Sequence, residues 1–366
     1  MSSALPVQAG GYNVSPAMKR PINLSINRSI ERLVIRSINR SMIRLMIRSI
    51  ERLTIRPEQS LLVPISLFIF MIAVASAALA ETPLKQQLLW QKLQVSIAGT
   101  DRELDGILGV SIQDLSSGEQ FSLHGDEVFP QASSIKIAVL AELYRQAAQG
   151  KLKLTDLYTV NSADLVADSY IMNGLTPGVT RITLRDLATM MVAVSDNSAT
   201  NVLIDRVGIE NVNALLDSLN LPHTRLRRKM MDIKAAAEGR ENISTPNEMA
   251  GLLRAVYQKK FFDAALTEDL FKVLSTPKDS WIPRELPDDL KIANKPGSLE
   301  GVRNDSGIIF LANRPYILCV MTTYLRRERD GEQAISRISL AAWRMFDRLS
   351  RASQYGRVVS PANSSR

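Results

Sequence analysis

Cysteine is nearly missing from this chain: among 366 residues Cys319 stands alone. One thiol excludes an internal disulfide and any cysteine metal cluster. It sits in the apolar, strand-like run YILCVMTTY, which predicts a buried, inert thiol. Histidine is almost as scarce, with His124 and His223 only. That argues against a multi-histidine metal site and against a Ser-His-Asp triad. No metal and no cofactor are expected. The body of the chain also lacks a charge of one sign. The formal charge of +8 is concentrated in residues 1–80, with ten Lys/Arg against three Asp/Glu, whereas residues 81–366 carry 35 against 34. A nearly neutral body offers no general basic field for nucleic acid, and no nucleic-acid partner is expected.

What the first eighty residues do contain is repetitive. Arginine recurs every fourth residue from Arg28 to Arg56. A strict period of four drifts about 40° per repeat around a 3.6-residue helix, so no fixed amphipathic face survives. Residues 1–60 therefore read as a low-complexity extension. It is either a basic membrane-surface segment or coding sequence upstream of the true start, the second preferred. Residues 61–80, LLVPISLFIFMIAVASAALA, hold no charge, follow Arg56 and end in Ala78-Leu79-Ala80. Basic flank, apolar core and small-residue end describe a secretory signal peptide. A membrane anchor is the rival, since twenty apolar residues just span a bilayer. Either one exports the body, so the expected location is periplasmic or secreted, with N-terminal membrane contact if the segment is retained.

Residues 83–350 read as the folded body and 351–366 as a loose tail. PLKQQLLWQKLQVSIAG has the apolar spacing of an amphipathic helix. DGILGVSIQDLSSGEQFSLHG reads as two strands joined at Ser-Ser-Gly. Residues 183–262 are mainly helical, with starts at Thr183 and near Pro246. SGIIFLANRPYILCVMTTYL reads as a hairpin across Ala-Asn-Arg-Pro, and a last helix runs from about Gly331 to Ser350. Strands at both ends with helices between predict one sheet built from the two termini, with the middle forming a helical lobe.

Within this body, FPQASSIKIAVLAEL places Lys136 three residues after Ser133, where an apolar helical run begins. Three residues is nearly one turn, so both side chains share a face. A lysine on an inward face is costly without a partner or a task. The bland alternative is a capping serine beside a solvent-facing lysine. Ser275–Lys278, in STPK, repeats the same spacing by chance. Two further motifs follow in order. VSDNSATN sets Ser195, Asp196 and Asn197 after a helix, and NKPGSLEGVRNDSG sets Lys295 and Gly297 at the end of a strand-like run. S-x-x-K, S-D-N and K-T-G in this order form a serine-acylation signature. The third is imperfect here, with Pro296 at its middle position.

GDEVFPQASSIK, SDNSATNVLID, STPNEMA and ANKPGS together resemble the class A β-lactamase family over about residues 86–350. The resemblance implies an α/β (α+β) fold of the β-lactamase/transpeptidase type. An antiparallel sheet flanked by helices would carry an all-helical lobe, with the site between them. It implies Ser133 as nucleophile and Lys136 as its base, its pKa held low by burial and by Lys295. Ser195 would relay the proton to the leaving nitrogen, Asn197 would hold the substrate's side-chain amide, and the N–H groups of Ser133 and Ser298 would form the oxyanion hole. Gly297 completes the strand motif. Arg303 is the candidate for the substrate carboxylate, or else a surface arginine of the hairpin. Pro296 lacks the usual hydroxyl and N–H, so one carboxylate contact is expected to be missing.

The family also uses a loop glutamate before the TTP-like segment to activate water. No E-x-x-x-N pattern precedes Ser244-Thr245-Pro246. Without gaps the glutamate position falls on Lys229, and Asp232 is the nearest acid, as a substitute base or as a pin for the loop. Asn201 is expected to support that loop. The partner is then a β-lactam or a peptidoglycan-like molecule, bound by a monomer. Three readings follow: a β-lactamase-like hydrolase, preferred; a penicillin-binding D-alanyl-D-alanine carboxypeptidase-type enzyme that deacylates slowly; and a non-catalytic cell-wall-binding module.

Overall fold

The computed structural model describes residues 84–353 and 355–358. The arginine repeat and the 61–80 segment lie outside the described residues. Among the described residues no helix is long and apolar enough to cross a membrane.

The chain opens with α1 (Leu84–Glu103), then β1 (Ile107–Asp114) and β2 (Gln120–Leu123). A short strand β3 (Phe129–Pro130), a 3₁₀ turn (Ala132–Ile135) and α2 (Lys136–Ala148) follow. The lobe continues through β4 (Leu157–Thr159), β5 (Arg181–Thr183), α3 (Leu184–Ala193), α4 (Asn197–Val207) and α5 (Ile209–Ser218). It goes on with α6 (Ile233–Ala237), β6 (Ile243–Ser244), α7 (Pro246–Tyr257) and α8 (Ala264–Leu274). The chain then returns to the sheet with β7 (Ile292–Leu299), β8 (Val302–Ile309) and β9 (Tyr316–Thr323), and closes with α9 (Glu328–Arg351). The main sheet has the order β2-β1-β9-β8-β7, every pairing antiparallel. The two termini thus build one sheet and the middle forms helices, as their order along the chain predicts.

The strands are apolar on both faces, so alternation sorts side chains between two cores. On β9, Tyr316, Leu318 and Val320 join Trp90 and Phe346 beneath α1 and α9, with the Tyr316 and Phe346 rings stacked at 4.0 Å. Ile317, Cys319 and Met321 face the other way, into the core shared with the helical lobe. Cys319 is fully buried, and burial pushes its thiol up to about 12, which fits the inert role. The start predicted near Pro246 is a real cap: Thr245 Oγ1 accepts the Glu248 N–H at 3.1 Å, with Pro246 in the first turn. The last helix begins earlier than its apolar pattern shows, at Glu328, because its acidic first turn suits a helix N-terminus.

β7 is the sheet edge beside the 3₁₀ turn, and Gly297 permits the approach. A Cβ there would lie 2.6 Å from Gln131 O and 2.8 Å from Ser134 N. No larger residue fits between strand and turn. Ser134 Oγ donates to Lys295 O at 3.1 Å and fastens the two elements together.

Candidate active site

The 3₁₀ turn sets Ser133 at the mouth of a cleft and Lys136 at the first position of α2. The residue before the serine, Ala132, has φ 50°, in the left-handed region. Ser195, in the short link between α3 and α4, has φ 56°. Asp168 and Met231 are alike, at 53° and 62°, and all four border the cleft. Such non-glycine conformations cost about 1–3 kcal/mol each and persist where the surroundings impose them.

Lys136 is fully buried and makes no ion pair among the described residues. Its Nζ donates to Ser195 O at 2.7 Å, Ser195 Oγ at 2.9 Å and Asn197 Oδ1 at 2.9 Å. Ser195 Oγ in turn donates to Ser133 Oγ at 2.9 Å. Lys295 approaches from β7, donating to Ser195 Oγ at 3.2 Å and to Pro296 O at 3.0 Å. Burial first, then the charge of Lys295, holds the Lys136 ammonium well below the usual lysine range, while Asp196 pulls the other way. Burial, then the charge of Lys278, lowers Lys295 to about 7, with Asp305 opposing.

The middle residue of S-D-N has a structural task. Asp196 caps α4 through Ala199 N, and its other oxygen accepts from Ile171 N and Met172 N, 3.0 Å each. This ties the 165–172 segment over the cleft, where Asp168 and Tyr170 form part of its wall. Beneath β7 the buried Asp305 accepts from Trp281 N, Ile282 N and Asn294 Nδ2.

The cleft has two connected parts. One, of about 590 Å³, is lined by Ser133, Ser195, Asn197, Lys278, Trp281, Lys295, Pro296 and Ser298 among others. The second, of about 310 Å³, lies on the other side of Ser133 and is bounded by Met230, Met231, Ile233, Ala236 and the Arg228–Glu241 ion pair. Ser133, Asn197 and Ser298 border both. The structure therefore brings together Ser133, Lys136, Ser195, Asn197, Lys295, Gly297 and Ser298.

Two sequence expectations are corrected. Arg303 does not reach the cleft wall. Its guanidinium pairs with Glu328 at 2.7 Å and Glu332 at 3.3 Å on α9, and it donates to Leu299 O and Val302 O. Strand alternation turns it toward that helix, so it is the hairpin arginine and not the carboxylate ligand. Asp232 does not face the cleft either: it is exposed and caps α6, accepting from Ala235 N at 2.9 Å. Lys229 points outward to Asp205. The residue on the cleft at this point of the loop is Met230, held by Asn201, whose Oδ1 accepts Met230 N and whose Nδ2 donates to Met230 O. Asn201 thus supports the loop, as expected. Lys278, read from sequence as a chance S-x-x-K, lies in the wall beside Lys295.

A nucleophile-ready serine joined by hydroxyl to a buried lysine whose pKa is lowered, at the seam of a sheet and a helical lobe, defines a serine acyl-transfer hydrolase. Comparison with known proteins narrows the class. Residues 88–346 match the model of the β-lactamase enzyme family. β-Lactamase SME-1 of Serratia marcescens is 28% identical over 256 residues, 66% of this chain and 84% of the relative. A β-lactamase structure from Sphaerobacter thermophilus superposes with TM-score 0.63 at 31% identity, over 69% of this chain and 96% of that one. An ancestral class A β-lactamase gives TM-score 0.65 at 27% identity, over 69% and 100%. The chain belongs to the β-lactamase enzyme family, as a β-lactamase-like serine hydrolase.

Proposed function

We propose that this cleft opens β-lactam amides through an acyl-enzyme on Ser133. The observation that carries the proposal is the unbroken hydrogen-bond chain Ser133–Ser195–Lys136, with both links at 2.9 Å. The Ser195 hydroxyl between nucleophile and amine forms a relay once it and the Ser133 hydroxyl rotate. The Ser133 proton passes to Ser195 Oγ, and the Ser195 proton passes to the lone pair of neutral Lys136. As it leaves, Ser133 Oγ bonds to the lactam carbonyl carbon. Collapse breaks the C–N bond, and Ser195 returns a proton to the nitrogen. Backbone N–H groups of Ser133 and Ser298 are the proposed support for the oxyanion, and Asn197 the proposed contact for the acyl side chain. Lys295 in its ammonium form places positive charge beside Ser195 and near the substrate's anionic end. Water then adds to the ester and Ser133 departs as the alcohol.

A second reading has its own observation. The loop wall nearest Ser133 carries Met230 and Met231, with Glu241 already paired to Arg228. That wall favours slow release of the acyl group, as in a penicillin-binding carboxypeptidase acting on peptidoglycan-like donors. A non-catalytic wall-binding module has no use for two fully buried lysines bonded to a serine hydroxyl, since burying them is costly. Export of the body remains our proposal from residues 61–80 alone.

The test is intact-protein mass over time after mixing with benzylpenicillin. Ring opening expels nothing, so the expected adduct equals the whole penicillin and decays as product forms. Persistence of the adduct selects the second reading. No adduct, or an adduct in Ser133→Ala, overturns the assignment.

A further inference from the structure

The second S-x-x-K spacing, Ser275–Lys278, plays no part in acylation, yet its lysine is in the cleft. Lys278 lies just beyond α8, in the same wall as Trp281, Lys295, Pro296 and Ser298. Its Nζ donates to Leu274 O at 2.8 Å and makes no ion pair among the described residues. Each nearby acid is otherwise engaged. Asp279 is almost fully exposed and faces Arg284 at 3.5 Å. Asp305 is buried beneath the strand with its oxygens filled by Trp281 N, Ile282 N and Asn294 Nδ2. Arg303, the other cation of this region, is spent on Glu328 and Glu332. Pro296 offers no hydroxyl.

Asp168 and Asp279 also line this cavity, but neither pairs with Lys278 or Lys295 among the described residues, so two ammonium groups stand at one end of the cleft without a bonded carboxylate. Like charges withdrawn from solvent repel strongly, and an anion placed between them relieves the repulsion. The effect is felt at Lys295, whose affinity for its proton falls partly through Lys278.

We propose that Lys278 is a specificity-determining residue of this cleft: with Lys295 it binds the carboxylate of an anionic substrate, the role the sequence suggested for Arg303. The proposal rests on the reading of the cleft as an acylation site. It makes the enzyme selective for acyl donors that carry an anion beside the scissile amide, and indifferent to neutral analogues.

The experiment uses phenylboronic acid and 3-carboxyphenylboronic acid, with binding measured by calorimetry. In each, the Ser133 oxygen bonds to boron while its proton passes through Ser195 to Lys136. The two ligands thus differ only in the anion. Lys278→Met is expected to weaken the carboxylated ligand by roughly tenfold or more, as for a lost hydrogen bond to a charged group. Phenylboronic acid should bind the variant as it binds the wild type. Lys278→Arg should retain most of the preference, and Lys272→Met, on the exposed side of α8, should change neither ligand. Removing the neighbouring charge should also move the alkaline limb of kcat/KM for benzylpenicillin to higher pH. Equal weakening of both ligands by Lys278→Met, or none, with normal wild-type binding, overturns this proposal alone. Failure of the wild type to bind either boronic acid or to react with penicillin overturns the acylation reading and this proposal with it.

Discussion

The two walls that meet at Ser133 are built on different principles. On one side, Ser195, Lys136 and Lys295 set polar atom against polar atom at 2.7–3.2 Å, and the lysines form no ion pair among the described residues. On the other, the segment from Arg228 to Asn242 presents methionine and isoleucine, and Arg228 at its rim is closed on Glu241. Asn242 Oδ1 accepts from Arg227 N and Arg228 N, and Asn201 brackets Met230. The first wall is poised to move a proton, and the second is braced to hold a shape. Forming the acyl-enzyme and clearing it are thus supported by separate parts of the molecule, and each can be changed alone.

The largest effect expected is at the nucleophile. Ser133→Ala should abolish covalent labelling by penicillin, read by mass, while Ser275→Ala leaves it intact. Next come the relay residues. Ser195→Ala or Lys136→Ala should slow acylation by ~10²–10⁴, the usual worth of a positioned proton-transfer group. Burst kinetics would check this, and an unchanged burst rate would break the proposed relay. The loop wall offers the opposite experiment. Met230→Glu places a carboxylate beside Ser133, and deacylation should speed on the order of 10² with acylation little altered. A variant that still accumulates acyl-enzyme would show that the wall limits water by shape and not by the missing base.

How much of this was legible in the sequence follows from how local each interaction is. Ser133 and Lys136 lie within one turn, and Asp196 caps the helix that Asn197 begins, so spacing alone places them. Lys295 and Gly297 could be read because a strand fixes alternation. Arg303 could not, because its destination is set by the β7–β8 register and by Glu328 and Glu332 on a helix twenty-five and twenty-nine residues further on. Lys278 was hidden by the opposite problem: its motif looked like noise, and only the path from α8 back to β7 brings it beside Lys295. That the two ends share one sheet was readable because strand-like runs stand at both ends of the body with helices between; the strand order itself is set by tertiary pairing.

A smaller, graded effect comes from pH and reports on the first wall. Lys136 must be neutral to accept a proton, so kcat/KM should fall as pH drops through its lowered pKa. Lys295 must be charged to attract an anionic substrate, so kcat/KM should also fall as pH rises through about 7. Each limb approaches tenfold per pH unit. The profile of kcat/KM reports the free enzyme. A bound carboxylate favours the ammonium form, so the alkaline limb of kcat should lie higher. A flat profile between pH 6 and 9 would separate Lys295 from substrate binding.

The smallest effect is expected on the second wall, at Asp232, and it discriminates between a loop pin and a base. As a helix cap, its carboxylate needs only an acceptor oxygen for Ala235 N, at 2.9 Å. Asparagine supplies that oxygen as well as aspartate does, and alanine does not. Asp232→Asn should therefore leave deacylation and stability close to wild type. Asp232→Ala should cost about 0.5–2 kcal/mol of local helix stability, or about 1–8 °C in Tm for a domain of this size. A general base behaves otherwise: asparagine has no lone pair basic enough to take a proton, so Asp232→Asn would lower deacylation as severely as Asp232→Ala. Single-turnover deacylation rates and melting curves on the two variants give this contrast directly. Matching losses of deacylation in both would return Asp232 to the chemistry and require α6 to rearrange around bound substrate. Loss confined to the melting curve of the alanine variant leaves the second wall as a frame, with the chemistry on the first.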